Sequence, residues 1–123
     1  MQRLQQHSQD ELFVSIVSFH EQVMGWAAYI ARARDQATVV RGYGMFQEVL
    51  TNFVKSNLLP FDSDAARIFE RLRKARLRVG TMDLRIGAIA LAHGLTVLTR
   101  NKVDFERIPD LHIEDWTGPI ESV

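Results

Sequence analysis

The sequence predicts an α/β protein with a mostly parallel sheet, and three observations carry that prediction. Short β-rich apolar runs, L-F-V-S-I-V at 12–17 and L-T-V-L-T at 95–99, alternate with longer segments whose apolar residues recur at helical spacing. Helix stops and starts, among them Asp62, Gly80 and Gly94, stand between those segments. The chain has 123 residues and no cysteine, so it is expected to fold as one domain over 1–123 by burying a core, without disulfides.

Taken in order, residues 1–10 are polar and read as the tail of a helix or as an arm. Residues 12–17 suit a buried parallel strand. Ser18 stands three residues before Glu21, the capping-box spacing, so a helix is expected over 19–34, with Val23, Trp26, Ala27, Ile30 and Ala31 on its apolar face. A second helical pattern covers 38–56 despite Gly42 and Gly44, which each cost about 1 kcal/mol in a helix interior. N-L-L-P-F at 57–61 reads as a short strand, with Pro60 at its end.

Asp62 or Ser63 then caps a third helix, whose buried stripe is expected to be Ala65, Ile68, Leu72, Ala75 and Val79. Beside it runs a basic stripe of Arg67, Arg71, Lys74 and Arg78. Its ordinary reading is a solvated face whose arginine stems cover apolar surface, and its functional reading is contact with phosphates. Gly80 breaks the helix and Thr81 is the expected cap of a fourth, 82–93, apolar on most sides and therefore buried. Gly94 stops it. A buried strand at 95–99, a loop through R-N-K-V-D-F, a turn at Pro109-Asp110 and a last strand at 111–116 complete the pattern.

The bulk composition excludes several classes of function. Fifteen basic and fifteen acidic residues give no net charge, so no global field draws the chain to nucleic acid and any such binding must be local. Zero cysteines removes thiolate zinc sites and cysteine nucleophiles. The polar N-terminus and the lack of a long apolar run give no signal peptide or membrane span, so a cytoplasmic protein is expected. His7, His20, His93 and His112 have no metal-ligand spacing. Gly42 and Gly44 make no phosphate-binding fingerprint, and neither a P-loop nor a G-x-S-x-G elbow occurs.

Three acids remain. Glu21 follows the first strand, Asp104 follows the strand at 95–99, and Asp83 opens the helix leading into that strand. In open parallel sheets ligands bind beyond the carboxyl ends of the strands, where a gathered set of carboxylates suits a hard divalent cation. Each acid also has a plain structural reading. Glu21 can complete a capping box, Asp83 can complement a helix dipole and Asp104 can brace a turn.

Five stretches together resemble PIN domains of the VapC toxin type: S-I-V-S-F-H-E-Q, L-P-F-D-S-D-A-A, G-T-M-D-L-R-I-G-A-I-A, T-V-L-T-R-N-K-V-D-F-E-R-I-P and L-H-I-E-D-W. The resemblance spans nearly the whole chain. It implies a three-layer α/β/α sandwich and a Mg²⁺- or Mn²⁺-dependent endoribonuclease, with RNA as substrate, an antitoxin protein as partner and a homodimer as the assembly. Carried onto this sequence, it makes Glu21, Asp83 and Asp104 the catalytic and metal-binding acids. Thr99 and Asn101 become supporting residues. Apart from the resemblance, Arg85, two residues beyond Asp83, is a better phosphate candidate than any member of the basic stripe.

One family feature has no match. The strand of form L-D-T-N or L-D-T-D that supplies the family's first acid is missing, and Asp10, the nearest surrogate, precedes the first strand. The resemblance therefore implies an N-terminally truncated PIN fold with impaired catalysis, or a start codon lying upstream of Met1. The absent strand is normally central, so its loss is expected to leave two unpaired strand edges. The alternative reading is a catalytically inactive PIN-like module that binds an antitoxin or a second PIN subunit.

Overall fold

The computed structural model describes residues 3–6, 12–99 and 101–115. Along the chain run β1 (Arg3–Gln6), β2 (Leu12–Ser15), α1 (Ile16–Ala31), α2 (Gln36–Val54), β3 (Asn57–Leu59) and α3 (Ser63–Lys74). These are followed by α4 (Thr81–His93), β4 (Leu95–Thr99), α5 (Lys102–Phe105) and β5 (His112–Asp115). The strands form one sheet in the order β3-β2-β1-β4-β5. β2 pairs parallel with β3, and β4 pairs parallel with β5. β1 lies between the two pairs and runs antiparallel to both neighbours. All four other strands therefore point the same way, and their carboxyl ends share one edge. The α/β class and the largely parallel sheet are as the alternation of runs predicts.

β1 corrects two expectations. Residues 3–6 are a strand rather than a helix tail, and the gap expected at the centre of the sheet is closed within the chain. Leu4 stands opposite Phe13 on one side and Val97 on the other. R-L-Q-Q carries no strand pattern of its own. Its conformation follows from β2 and β4, whose backbone N–H and C=O groups need partners when buried. Asp10 lies outside the described residues.

The helix ends explain the remaining boundary shifts. Ser15, not Ser18, caps α1: the Ser18 N–H donates to Ser15 Oγ at 3.0 Å, and the two hydroxyls lie 3.0 Å apart. The strand consequently ends at Ser15, and Glu21 falls inside the second turn of the helix. Asp35 caps α2 by accepting from the Thr38 N–H at 2.8 Å, which starts that helix two residues early. Asp62 caps α3 through the Ala65 N–H. α3 stops at Lys74, short of Val79, and Arg76 and Arg78 both adopt positive φ after it. The basic stripe on the helix is thus reduced to Arg67, Arg71 and Lys74, while the Arg78 carbonyl accepts from Arg107 Nη1 at 2.8 Å.

Gly80 rather than Thr81 is the N-cap position of α4, and Gly94 closes that helix in the left-handed region at φ 64°. Where a loop was expected at 100–105, α5 makes a single helical turn that carries Asp104. Among the described residues the core has two parts. The larger is built on α4 and β4, where Ile86, Ile89 and Val97 are wholly buried, together with Phe105 and Ile108. Truncating a buried side chain such as Phe105 to alanine costs about 3–5 kcal/mol. The smaller part joins Val14 of β2 to Val49 and Phe53 of α2, with Phe19 and Trp26 of α1 packed against it. Together they fix α1 and α4 against the sheet, and these two helices carry Glu21 and Asp83.

Candidate active site

α1 leaves the carboxyl end of β2, and α4 packs against it. Glu21 is half-buried on α1, and Asp83 is half-buried in the first turn of α4. The Glu21 carboxyl is held above its ordinary value of 4.5, chiefly because burial disfavours its charged form and next because Asp83 places a second negative charge nearby. His20 acts in the opposite direction with a smaller effect. These two acids are therefore electrostatic neighbours. With Ser15 as the cap of α1, Glu21 has no part in a capping box.

Asp104 occupies a different setting. Its Oδ2 accepts from Asn101 Nδ2 at 2.7 Å, and Oδ1 lies 3.7 Å from Arg107 Nη1. Thr99, buried at the carboxyl end of β4, accepts the Asn101 N–H on Oγ1 at 2.8 Å. A short relay thus runs from Thr99 through Asn101 to Asp104 and sets the carboxylate at the end of β4. Thr99 and Asn101, the residues the resemblance implies as supporting ones, are thus hydrogen-bonded in sequence to Asp104. Among the described residues no group of three His, Cys, Asp or Glu lies close enough to hold one metal ion. The structure pairs Glu21 with Asp83 and places Asp104 in its own bonded network.

Arg85 is not brought beside this pair. Two residues of helix turn a side chain through about 200°, and the Arg85 guanidinium lies over the Phe69 ring of α3, 5.5 Å from its centroid. Its Nη1 is 3.7 Å from Met82 Sδ. Ser15 was missed by the sequence reading. The available signal was an S-x-x-S spacing, Ser15 to Ser18, at the end of the apolar run.

The Glu21–Asp83 pair has the donor chemistry that a hard divalent cation takes. Two carboxylates close enough for one to raise the pKa of the other are relieved by a positive charge between them, and Mg²⁺ is commonly held by one or two carboxylates with water completing its shell.

No family model matches the chain. The chain is 42% identical over 67 residues to ribonuclease VapC1 of Rickettsia felis, a match covering 50% of each sequence, so it spans about half the length of that relative. The tRNA(fMet)-specific endonuclease VapC of Salmonella typhimurium is 34% identical over 107 residues, covering 84% of this chain and 74% of the relative. Among solved structures, DNA-bound VapBC from Salmonella typhimurium superposes with a TM-score of 0.66 at 28% identity, over 85% of this chain and 74% of that one. VapBC-1 from nontypeable Haemophilus influenzae shares the fold, with a TM-score of 0.65 at 22% identity over 89% of this chain and 77% of that one. With a relative 34% identical over 84% of this chain and a solved VapBC structure that shares its fold, the chain belongs to the VapC-type PIN-domain family.

Proposed function

We propose that this chain is a metal-dependent endoribonuclease of the VapC type, in which Glu21 and Asp83 hold a Mg²⁺ or Mn²⁺ ion and Asp104 serves as the third acid of the same sheet edge. The observation that carries the reading is the packing of α4 against α1, which brings Asp83, far away in sequence, near enough to Glu21 for its charge to add to burial in raising the Glu21 pKa. Bound there, such an ion supplies an activated water and offsets negative charge on a phosphodiester. The chain's own residues do the rest. Burial keeps the Glu21 carboxyl in a setting where its charge is poorly solvated, and therefore responsive to a cation. Asn101, itself braced by Thr99, fixes the Asp104 carboxylate so that it meets substrate already oriented. An antitoxin as partner and a homodimer as assembly belong to the same proposal.

RNA cleavage in Mn²⁺ tests it. Cleavage that chelation abolishes and that Asp83→Asn lowers by at least about a hundredfold is the expected result. Cleavage indifferent to both overturns it.

One observation favours a second reading, in which the chain is a catalytically inactive PIN-like module that binds an antitoxin or another PIN subunit. Asp104 is already engaged by Asn101 and Arg107, and no three-acid cluster forms among the described residues. That reading expects a stable complex with an antitoxin and no metal-dependent cleavage at any enzyme concentration.

A further inference from the structure

A groove of about 690 Å³ runs along one face of α1. Its described wall includes Ser18, Glu21, Gly25, Trp26, Tyr29 and Arg32, so it begins at the acid assigned to the metal and ends at the C-cap of the helix. Eleven residues separate its two charged ends, about 16 Å at 1.5 Å per residue. The apolar side chains among its described lining residues are both aromatic. Trp26 and Tyr29 meet edge to face with centroids 5.2 Å apart. The exposed aliphatic side chains Val40, Leu50 and Val54 belong to α2 and do not line it. Arg32 is exposed and makes no ion pair among the described residues.

We infer that this groove is a track for single-stranded RNA, with bases against Trp26 and Tyr29 and a phosphate on Arg32 a few nucleotides from the one at Glu21 and Asp83. The choice of RNA rests on the ribonuclease reading above. Aromatic platforms joined to a cation are how single strands are held without sequence readout, and guanidinium pairs well with phosphate. An amphipathic peptide helix would instead seek aliphatic sockets, and the described lining residues supply none.

The test uses fluorescein-labelled oligoadenylate and the full chain in a metal-chelating buffer, read by anisotropy, so that binding is measured without cleavage. Arg32→Gln removes the phosphate contact at an exposed position. Gly25→Leu fills the groove at a site where a Cβ meets nothing within 4 Å, so both variants should fold. Each is expected to weaken binding about tenfold. Wild-type affinity in both groove variants overturns the inference, and so does a chain that ignores oligoadenylate but binds a leucine-rich amphipathic peptide in a manner sensitive to Gly25→Leu. Metal-dependent cleavage with unchanged groove variants would leave the ribonuclease reading standing while this one falls. Groove-dependent binding with no cleavage would do the reverse.

Discussion

Asp83, in the first turn of α4, lies close enough to Glu21 on α1 for its negative charge to add to burial in holding the Glu21 carboxyl above its ordinary range. Removing that charge should therefore move Glu21 only part of the way back. Titration of Glu21 by carboxyl ¹³C NMR in Asp83→Asn is expected to give a pKa below the wild-type value yet still above 4.5, because burial is the larger cause. A value unchanged from wild type would show that the two acids do not sense each other.

The same shift sets a pH dependence of stability. A carboxyl whose pKa is raised on folding is bound to its proton more tightly in the folded state, so stability is greatest below 4.5 and declines as pH rises through the folded pKa. At neutral pH the charged Glu21 is a net cost. Glu21→Gln should raise the melting temperature at pH 7, and the gain should vanish below pH 4.5. Mn²⁺ should reverse the order at neutral pH. A ligand at a hundred times its Kd stabilises the native state by about 2.7 kcal/mol, and only the wild type keeps both carboxylates to bind it.

Glycines on α2 behave differently although the sequence presents them as equals. A Cβ at Gly42 would stand 2.5 Å from Ile30 Cγ1 and 3.1 Å from Tyr29 Cδ1, where α1 and α2 cross, whereas at Gly44 it would meet nothing within 4 Å. Gly44→Ala is expected to stabilise by roughly 0.5–1 kcal/mol through helix propensity. Gly42→Ala is expected to destabilise by about 1–3 kcal/mol through overpacking. Urea unfolding of the two variants checks both signs.

Where the sequence was legible, the governing interactions were local. Asp62 caps α3 and Gly94 ends α4 because each acts on backbone groups within a turn of itself, and the burial of α4 follows from apolar residues on most of its sides. Ser15 and Ser18 offered two caps three residues apart, and sheet length decided between them: β3 pairs with β2 only as far as Ser15. The pattern of Ala75 and Val79 continues the apolar stripe of α3, yet the chain leaves the helix at Lys74 so that Leu77 and Val79 reach the core by another route. In the site, Thr99, Asn101 and Asp104 were readable because their bonds span only two or three residues. That the described residues form no three-acid cluster was not, since it depends on how α5 sits against its neighbours.

The least legible element is β1, and its pairing gives the sharpest structural prediction. A run of R-L-Q-Q would not form a strand alone, so its place rests on being inserted antiparallel between β2 and β4, with Gln5 opposite Thr96 and Gln6 opposite Leu95. Opposed residues in antiparallel strands have Cα atoms about 4.5–5.5 Å apart, within disulfide range, and the chain has no cysteine to compete. Gln5→Cys with Thr96→Cys should therefore cross-link on mild oxidation. Gln6→Cys with Leu98→Cys, three residues out of register at about 3.3 Å each, should not. Because β1 closes the gap within its own chain, the cross-linked species should run as a monomer under non-reducing denaturing electrophoresis. A dimer band would mean that the strand is exchanged between copies, and cross-linking of the second pair alone would mean that it runs in another register.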